Sequence, residues 1–162
     1  MPAHRETREL PYSATQMFEL VADVGRYEEF LPWVVGTRIR SDSETEMIAD
    51  VIVGFKGLRE QFASRVLKDV DGRSIEVDYL DGPLKLLHNE WMFRERGGGG
   101  SYVDFYVEFA FKNRVFEKLA GQVFAKALHK MTSAFVERAG EIYGNNYSEL
   151  SGSNSSSATN AA

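Results

Sequence analysis

The sequence predicts an α+β domain in which a curved antiparallel sheet of about six to seven strands wraps around one long C-terminal helix. Residues 113–143 form a long run with helical periodicity, and the segments before it alternate apolar and polar side chains, as half-buried strands do. Short turns separate those segments, which favours antiparallel pairing. We expect one domain over residues 1–147 and a disordered tail, rich in serine, asparagine and alanine, over residues 148–162.

The long helix is predicted from one continuous apolar stripe. Between residues 113 and 143, apolar side chains recur mostly at steps of three or four residues, and charged side chains occupy the other side. Asn113 is a suitable N-cap, and Gly144 can end the helix in a left-handed conformation. A helix of about 30 residues is about 45 Å long. So large an apolar face needs a large partner, and the preceding strands supply it.

The N-terminal part predicts one strand and two short helices. Residues 4–10 alternate weakly and are predicted to form the first strand. Ser13 followed by Gln16 is a capping-box pattern that starts a helix. A second short helix over residues 26–30 has to end before Pro32, because the residue before a proline avoids the helical conformation.

About six strands follow, and each has one apolar face, which indicates burial on one side. The polar faces contain the carboxylates Asp50, Asp78, Asp104 and Glu108, which we expect on a solvated outer surface. The predicted inner faces include Trp33, Val35, Thr37, Ile39, Met47, Ala49, Val51, Val53, Phe55, Ile75, Val77, Tyr79, Leu87, Asn89, Trp91, Phe93, Val103, Phe105, Val107, Phe109 and Phe111.

Composition and charge exclude several classes of function. The chain has no cysteine, which excludes disulfides, thiolate metal sites and cysteine nucleophiles. A net charge of −5 argues against a general nucleic-acid binder, and we expect no DNA partner. No apolar run approaches the roughly 18 residues of a membrane helix. We expect a cytoplasmic protein, with the periphery of the inner membrane as an alternative location.

The sequence shows no catalytic or metal-binding set. None of the histidines His4, His88 and His129 pairs with another at metal-ligand spacing, and we expect each at the surface or at a boundary. Nucleophile-elbow, phosphate-loop and zinc-protease motifs are missing from the sequence. We therefore expect a protein that is not an enzyme and that requires no cofactor.

The predicted inner faces are rich in large flat side chains, which form either a packed core or the wall of a cavity. A long helix over a wide sheet tends to leave space between them, and a mostly apolar cavity with few polar groups is typical of a site for a lipophilic molecule. Asn89 is predicted on the inner face beside Trp91. A buried amide needs partners, so Asn89 either bonds to the backbone or offers a polar contact to a ligand.

Residues 27–33, Tyr-Glu-Glu-Phe-Leu-Pro-Trp, resemble the Y-x-x-F-(L/V)-P-W signature of the coenzyme Q-binding START-like family. The agreement extends over residues 5–144 and includes motifs at 53–55, 82–85, 103–105 and 109–112. The resemblance implies a helix-grip fold, a hydrophobic cavity and a polyprenyl quinone as ligand. The sequence is similar to bacterial members known as ribosome-association toxins or polyketide cyclase/dehydrase-like proteins.

Three hypotheses follow. In the first, the protein binds ubiquinone or another lipophile as a carrier or chaperone for respiratory electron transport or quinone synthesis, with transient contact at a membrane surface. In the second, it binds the large ribosomal subunit and blocks subunit joining. In the third, it is a polyketide cyclase or dehydratase, which needs an inward acid or base that the alternation does not supply. The predicted cavity residues are Leu31, Trp33, Val51, Val53, Phe55, Asn89, Trp91, Phe105, Phe109, Phe116, Leu119, Val123, Phe124 and Leu128.

Overall fold

A computed structural model describes residues 3–55, 57–112 and 126–144. Its elements in chain order are strand β1 (Ala3–Leu10), helix α1 (Ala14–Ala22), a 3₁₀ helix (Val24–Glu29), the strands β2 (Val34–Asp42), β3 (Glu46–Phe55), β4 (Leu58–Asp69), β5 (Ser74–Asp81), β6 (Leu84–Arg96) and β7 (Gly100–Phe111), and the C-terminal helix α2, described over residues 126–144. The predicted fold class is confirmed.

The strands form one seven-stranded sheet in the order β1-β7-β6-β5-β4-β3-β2. All neighbours are antiparallel, and β2 to β7 follow one another as a meander. Because β1 pairs with β7, the first two strands of the chain lie at opposite edges of the sheet. Helix α1 and the 3₁₀ helix carry the chain from one edge to the other.

The capping box predicted at the start of α1 is present. The Gln16 amide donates to Ser13 Oγ at 3.1 Å, and the Ser13 amide donates to Gln16 Oε1 at 2.9 Å. These two bonds satisfy backbone donors that a helix start leaves without partners. The helix then buries Met17, Phe18 and Val21 against the sheet.

The inner face of β2 differs from the prediction. Val34 is buried and Val35 is 48% exposed, whereas the alternating pattern placed Trp33 and Val35 inside. A register irregularity between Val34 and Gly36 accounts for the change, since one extra residue in a strand moves its neighbours to the opposite face. Thr37 and Ile39 pair with Val51 and Ala49 as the predicted face requires, but Ile39 remains 39% exposed.

Asp50 lies on the predicted outer side of β3, but it is not solvated as expected. Its side chain is fully buried, although the residue lies on the outer side of β3. Arg40, at a second irregularity in β2, donates to both carboxylate oxygens, from Nε at 2.8 Å and from a terminal nitrogen at 2.7 Å. The ion pair compensates for the loss of water around the Asp50 carboxylate.

The other outer carboxylates remain partly exposed, as predicted. Hydrogen bonds from Arg94 and Thr7 hold the pKa of Asp104 below its usual range, with burial opposing them. Glu108 accepts a hydrogen bond from the Tyr106 hydroxyl at 2.8 Å. The predicted cap at Asn113, the first part of the predicted long helix and the tail at 148–162 lie outside the described residues.

We expect Gly82→Ala to lower the free energy of unfolding by about 1–3 kcal/mol, measured by urea denaturation. Gly82 has φ of +147°, and a Cβ there would lie 2.7 Å from the Tyr79 hydroxyl and 2.8 Å from the Gln61 carbonyl oxygen. Gly98→Ala is the control, because Gly98 has φ of +86° but no atom within 4 Å of the added carbon. Equal losses in the two variants would contradict the steric explanation.

Candidate ligand-binding cavity

The concave face of the sheet is tightly packed where it meets α1 and α2. Trp91 of β6 is at the centre of this contact, with its ring centroid 4.4 Å from that of Phe105 and 5.3 Å from that of Phe135 on α2. It also stacks on Phe93, with centroids 6.2 Å apart and ring planes 3° from parallel. Trp91 is therefore a core residue that joins the sheet to the C-terminal helix.

A small space remains between β1, β7 and α2, but it cannot hold a large ligand. Its volume is about 20 Å³, and its lining includes Glu6, Arg8, Trp91, Phe105 and Phe135. This volume is on the scale of one water molecule. The contact between the sheet and the described part of α2 is therefore too tightly packed to hold a quinone. A quinone site has to lie elsewhere on the concave face.

The part of the concave face formed by β3, β5 and β6 is less completely covered. Val51, Val53, Val77 and Leu87 are half-buried, although strand register places their side chains on the inner side. Asn89 lies among them and is also half-buried. These residues form an apolar surface with one amide, which we call the Asn89 face.

Asn89 has an unusual environment for a polar side chain. It pairs with Val77 on β5 and Val107 on β7, so its neighbours across the sheet are apolar. Its Oδ1 atom is buried and has no hydrogen-bond partner among the described residues. The backbone bond considered from the sequence is therefore not formed at this atom. A buried acceptor without a partner costs about 1–3 kcal/mol, which a donor on a ligand can recover.

Strand β1 brings charged residues to the concave side, which the sequence did not predict. His4, Glu6 and Arg8 pair with Val107, Phe105 and Val103, whose side chains point into the core. Glu6 accepts from Arg8 Nε at 2.8 Å, and His4 Nε2 lies 2.8 Å from its other oxygen. Residues 4–10 contain charged side chains at both even and odd positions, so their weak alternation did not indicate which face points inward.

Arg8 connects this strand to α2. One terminal nitrogen donates to Thr132 Oγ1 at 2.9 Å and to Ser133 Oγ at 3.2 Å, and it lies 3.3 Å from His129 Nδ1. Burial raises the pKa of the Glu6 carboxyl, but hydrogen bonds from Arg8 and His4 outweigh it and hold the pKa below its usual value. Glu6 is therefore an inward carboxylate that the alternation did not predict. It is bound to Arg8 and His4 in this polar network.

Residues 27–33, which resemble the family signature, pack into the fold. Leu31 is only 5% exposed, and the rings of Tyr27 and Phe30 each lie 5.3 Å from that of Phe135. Tyr27 donates to the Val21 carbonyl, and burial, with the charge of Asp23, raises the pKa of its phenol. These contacts indicate local packing for Tyr27, Phe30 and Leu31.

The structure places the remaining predicted cavity residues in three groups. Trp91, Phe105, Phe109 and Leu128 are buried, whereas Trp33, Val51, Val53 and Asn89 are half-buried. Trp33 has a left-handed backbone, with φ of +69°, just before β2. Phe55 ends β3, and the predicted residues Phe116, Leu119, Val123 and Phe124 lie outside the described residues.

Comparison with known proteins identifies the family of this chain. The family described as "Polyketide cyclase / dehydrase and lipid transport" matches residues 10–136. The chain belongs to this family. It is 36% identical over 143 residues to the ribosome association toxin RatA of Escherichia coli, covering 88% of this chain and 90% of that protein. It is 30% identical to the mitochondrial coenzyme Q-binding protein COQ10 homolog B of Xenopus laevis, covering 87% of this chain and 59% of that protein.

Solved structures agree with the fold. The 18 kDa protein CC1736 of Caulobacter crescentus is 40% identical, with a TM-score of 0.71, and the match covers 89% of this chain and 99% of that one. A START superfamily protein of Mycobacterium smegmatis has a TM-score of 0.73 at 16% identity, covering 84% of this chain and 95% of that one, which supports the fold alone. No helix within the described residues is long and apolar enough to span a membrane.

We expect Glu6→Gln to lower the free energy of unfolding at pH 7 by about 1–3 kcal/mol, because it weakens the charge-assisted bonds to Arg8 and His4. The folded-state pKa of Glu6 is lowered, so its stabilisation is present above the ordinary value of 4.5 and is lost as pH falls through the lowered pKa. Urea denaturation at pH 7 and at about pH 3 measures this difference.

The control for this prediction is Glu9→Gln, on the same strand. Glu9 points outward, and its side chain is 60% exposed beside Arg96. We expect a much smaller effect there, since exposed ion pairs contribute little. A loss at Glu6 that does not change between the two pH values would contradict the assigned role of its charge.

Proposed function

We propose that this protein binds a polyprenyl quinone, with ubiquinone as the leading candidate, on the Asn89 face. The observation that carries the proposal is the buried Asn89 Oδ1, which lacks a hydrogen-bond partner on an otherwise apolar inner surface. Ligand sites for apolar molecules combine such surfaces with a few polar groups that orient the ligand. The family description includes lipid transport, and the name of the COQ10 relative includes coenzyme Q binding.

The chemistry of a quinone fits this amide in both redox states. A quinone carbonyl accepts a hydrogen bond from the Asn89 Nδ2, and the hydroxyl of the reduced quinol donates one to Oδ1. The isoprenoid tail is apolar and suits Val51, Val53, Val77 and Leu87. The protein would therefore present the ring at Asn89 and shield part of the tail. Because such quinones reside in membranes, loading requires transient contact with a membrane surface.

Mass spectrometry of lipids extracted from protein purified from its own host tests the ligand class. We expect a polyprenyl quinone in the extract, at a substantial fraction of the protein's molar amount. A second experiment titrates delipidated protein with a short-chain ubiquinone and monitors binding by tryptophan fluorescence. It tests the same site with a ligand that lacks the long isoprenoid tail. If the extract contains no quinone and the titration shows no binding of short-chain ubiquinone, the proposal is wrong.

We expect Asn89→Leu to weaken short-chain ubiquinone binding about three- to tenfold, the effect of losing one net hydrogen bond of about 0.5–1.5 kcal/mol. The control is Gln61→Leu, which removes an exposed amide from β4. Its affinity should equal that of the wild type. Equal affinities for all three proteins would show that Asn89 does not contact the ring.

We expect Trp91→Ala to act mainly on stability and to lower the free energy of unfolding by about 3–5 kcal/mol. Trp91 is 9% exposed and packs between Phe105 and Phe135, so its removal leaves a hole in the core. Thermal unfolding measures the loss, with Met92→Ala as the control because the Met92 side chain is 48% exposed. A stable Trp91→Ala variant would contradict this role.

Ribosome association is the second candidate, and the relatives favour it. A second RatA protein, from Rickettsia prowazekii, is 32% identical over 145 residues, and the match covers 99% of its length. Sedimentation of the purified protein with isolated large ribosomal subunits tests this function. Co-sedimentation that is unchanged by added quinone would indicate a ribosomal role independent of the Asn89 face.

A further inference from the structure

The outer surface of β5 and β6 contains a compact group of potential metal ligands. Glu76 on β5 lies directly opposite Glu90 on β6, and in the next pair on the same face of the sheet Asp78 lies opposite His88. These two successive pairs on the outer face therefore bring together three carboxylates and one imidazole. The sequence did not reveal this group, because its members are separated along the chain and meet only through strand pairing.

The imidazole of His88 is held by a carboxylate on each side. Its Nδ1 lies 2.7 Å from Asp78 Oδ1, and its Nε2 lies 2.8 Å from Glu90 Oε2. Glu76, His88 and Glu90 each provide one ligand atom, and these three atoms lie within 4.8 Å of one another. One ion can therefore reach all three atoms after small side-chain adjustments.

The charges around this group favour a bound cation. Like charges directly opposite each other on neighbouring strands are destabilising, and Glu76 and Glu90 form such a pair. Within the described part of the chain, no lysine or arginine forms an ion pair with Glu76, Asp78 or Glu90. On β7, Glu108 lies beside His88 and adds a further carboxylate. The nearby cation Arg5 lies over the Tyr106 ring, 4.5 Å from its centroid, and does not form an ion pair with Glu76 or Glu90.

We propose that Glu76, His88 and Glu90 bind one divalent transition-metal ion of the zinc class. Imidazole and carboxylate are both normal zinc ligands. In the metal-bound form Asp78 would accept the Nδ1 proton, and Nε2 would give up its own proton and its hydrogen bond to Glu90 in order to bind the ion. A ligating histidine commonly donates its other ring N–H to a carboxylate in this way, and the bond fixes the tautomer and orientation of the ring.

The metal site lies on the opposite side of the sheet from the Asn89 face. Asn89 is between His88 and Glu90 in the sequence, and Val77 is between Glu76 and Asp78. An ion bound outside would connect β5 to β6 beneath the residues that form the inner surface. The site stands on its own geometry and does not depend on quinone binding.

Titration of metal-free protein with Zn²⁺ alone, by calorimetry and by competition with a chromophoric chelator, tests the proposal. We expect one zinc ion per chain for the wild type. His88→Ala, Glu76→Gln and Glu90→Gln should each lower the affinity at least tenfold. Asp78→Asn should lower it about 10- to 100-fold while one ion still binds, because it removes the group that orients the imidazole.

His129→Ala is the matched control, since it removes an exposed imidazole on α2, away from this group. Its zinc affinity should equal that of the wild type. Zinc should also raise the thermal midpoint of the wild type but not that of His88→Ala, and circular dichroism without metal confirms that each variant is folded. Failure of the wild type to bind zinc stoichiometrically, or equal affinity in His88→Ala, would overturn the proposal.

Discussion

The contact between Trp91 on β6 and Phe135 on α2 holds the sheet and the C-terminal helix together. Their ring centroids are 5.3 Å apart, and Phe135 also contacts the rings of Tyr27 and Phe30. One side chain of α2 is thus shared by the central sheet and by the segment after α1. Because aromatic rings have preferred packing geometries, this cluster restricts how α2 lies on the sheet. The position of the Asn89 face relative to α2 depends on it.

Polar groups on the concave side fall into two classes with different consequences. The charges of β1 are satisfied by one another and by α2, through Glu6, Arg8 and Thr132. They add a directional polar contact to the apolar packing, which helps to define the position of the helix. Asn89 Oδ1 instead has no partner among the described residues. A satisfied network stabilises the fold, whereas the unpaired Asn89 acceptor is the group that the proposed ligand would satisfy.

Strands β5 and β6 contribute residues to candidate sites on both sides of the sheet. Alternation places His88 and Glu90 outside and Asn89 inside, so strand β6 contributes to both candidate sites. The buried Asp50–Arg40 pair shows that the outer side of this sheet also contains specific ionic contacts. A curved sheet with one covered face can therefore hold well-defined polar contacts on its convex surface as well.

The types and order of the elements follow from local patterns in the sequence. Alternation over residues 103–111 and the Ser13–Gln16 capping box are local signals, and local signals survive in the folded chain. The apolar inner faces of β6 and β7 were predictable for the same reason. So was the inward position of Asn89, since a period of two residues defines which face each side chain occupies.

Features that depend on partners distant in sequence could not be predicted and become visible only in the folded chain. The irregularity at Val35 changes which side chains of β2 point inward, and no pattern in the sequence marks it. Asp50 is buried because Arg40 reaches it, and the charges of β1 point inward because α2 supplies Thr132 and Ser133. A polar group can be buried only if new hydrogen bonds replace those that it made to water. The partners that supply these bonds come together only when the strands and the helix assemble.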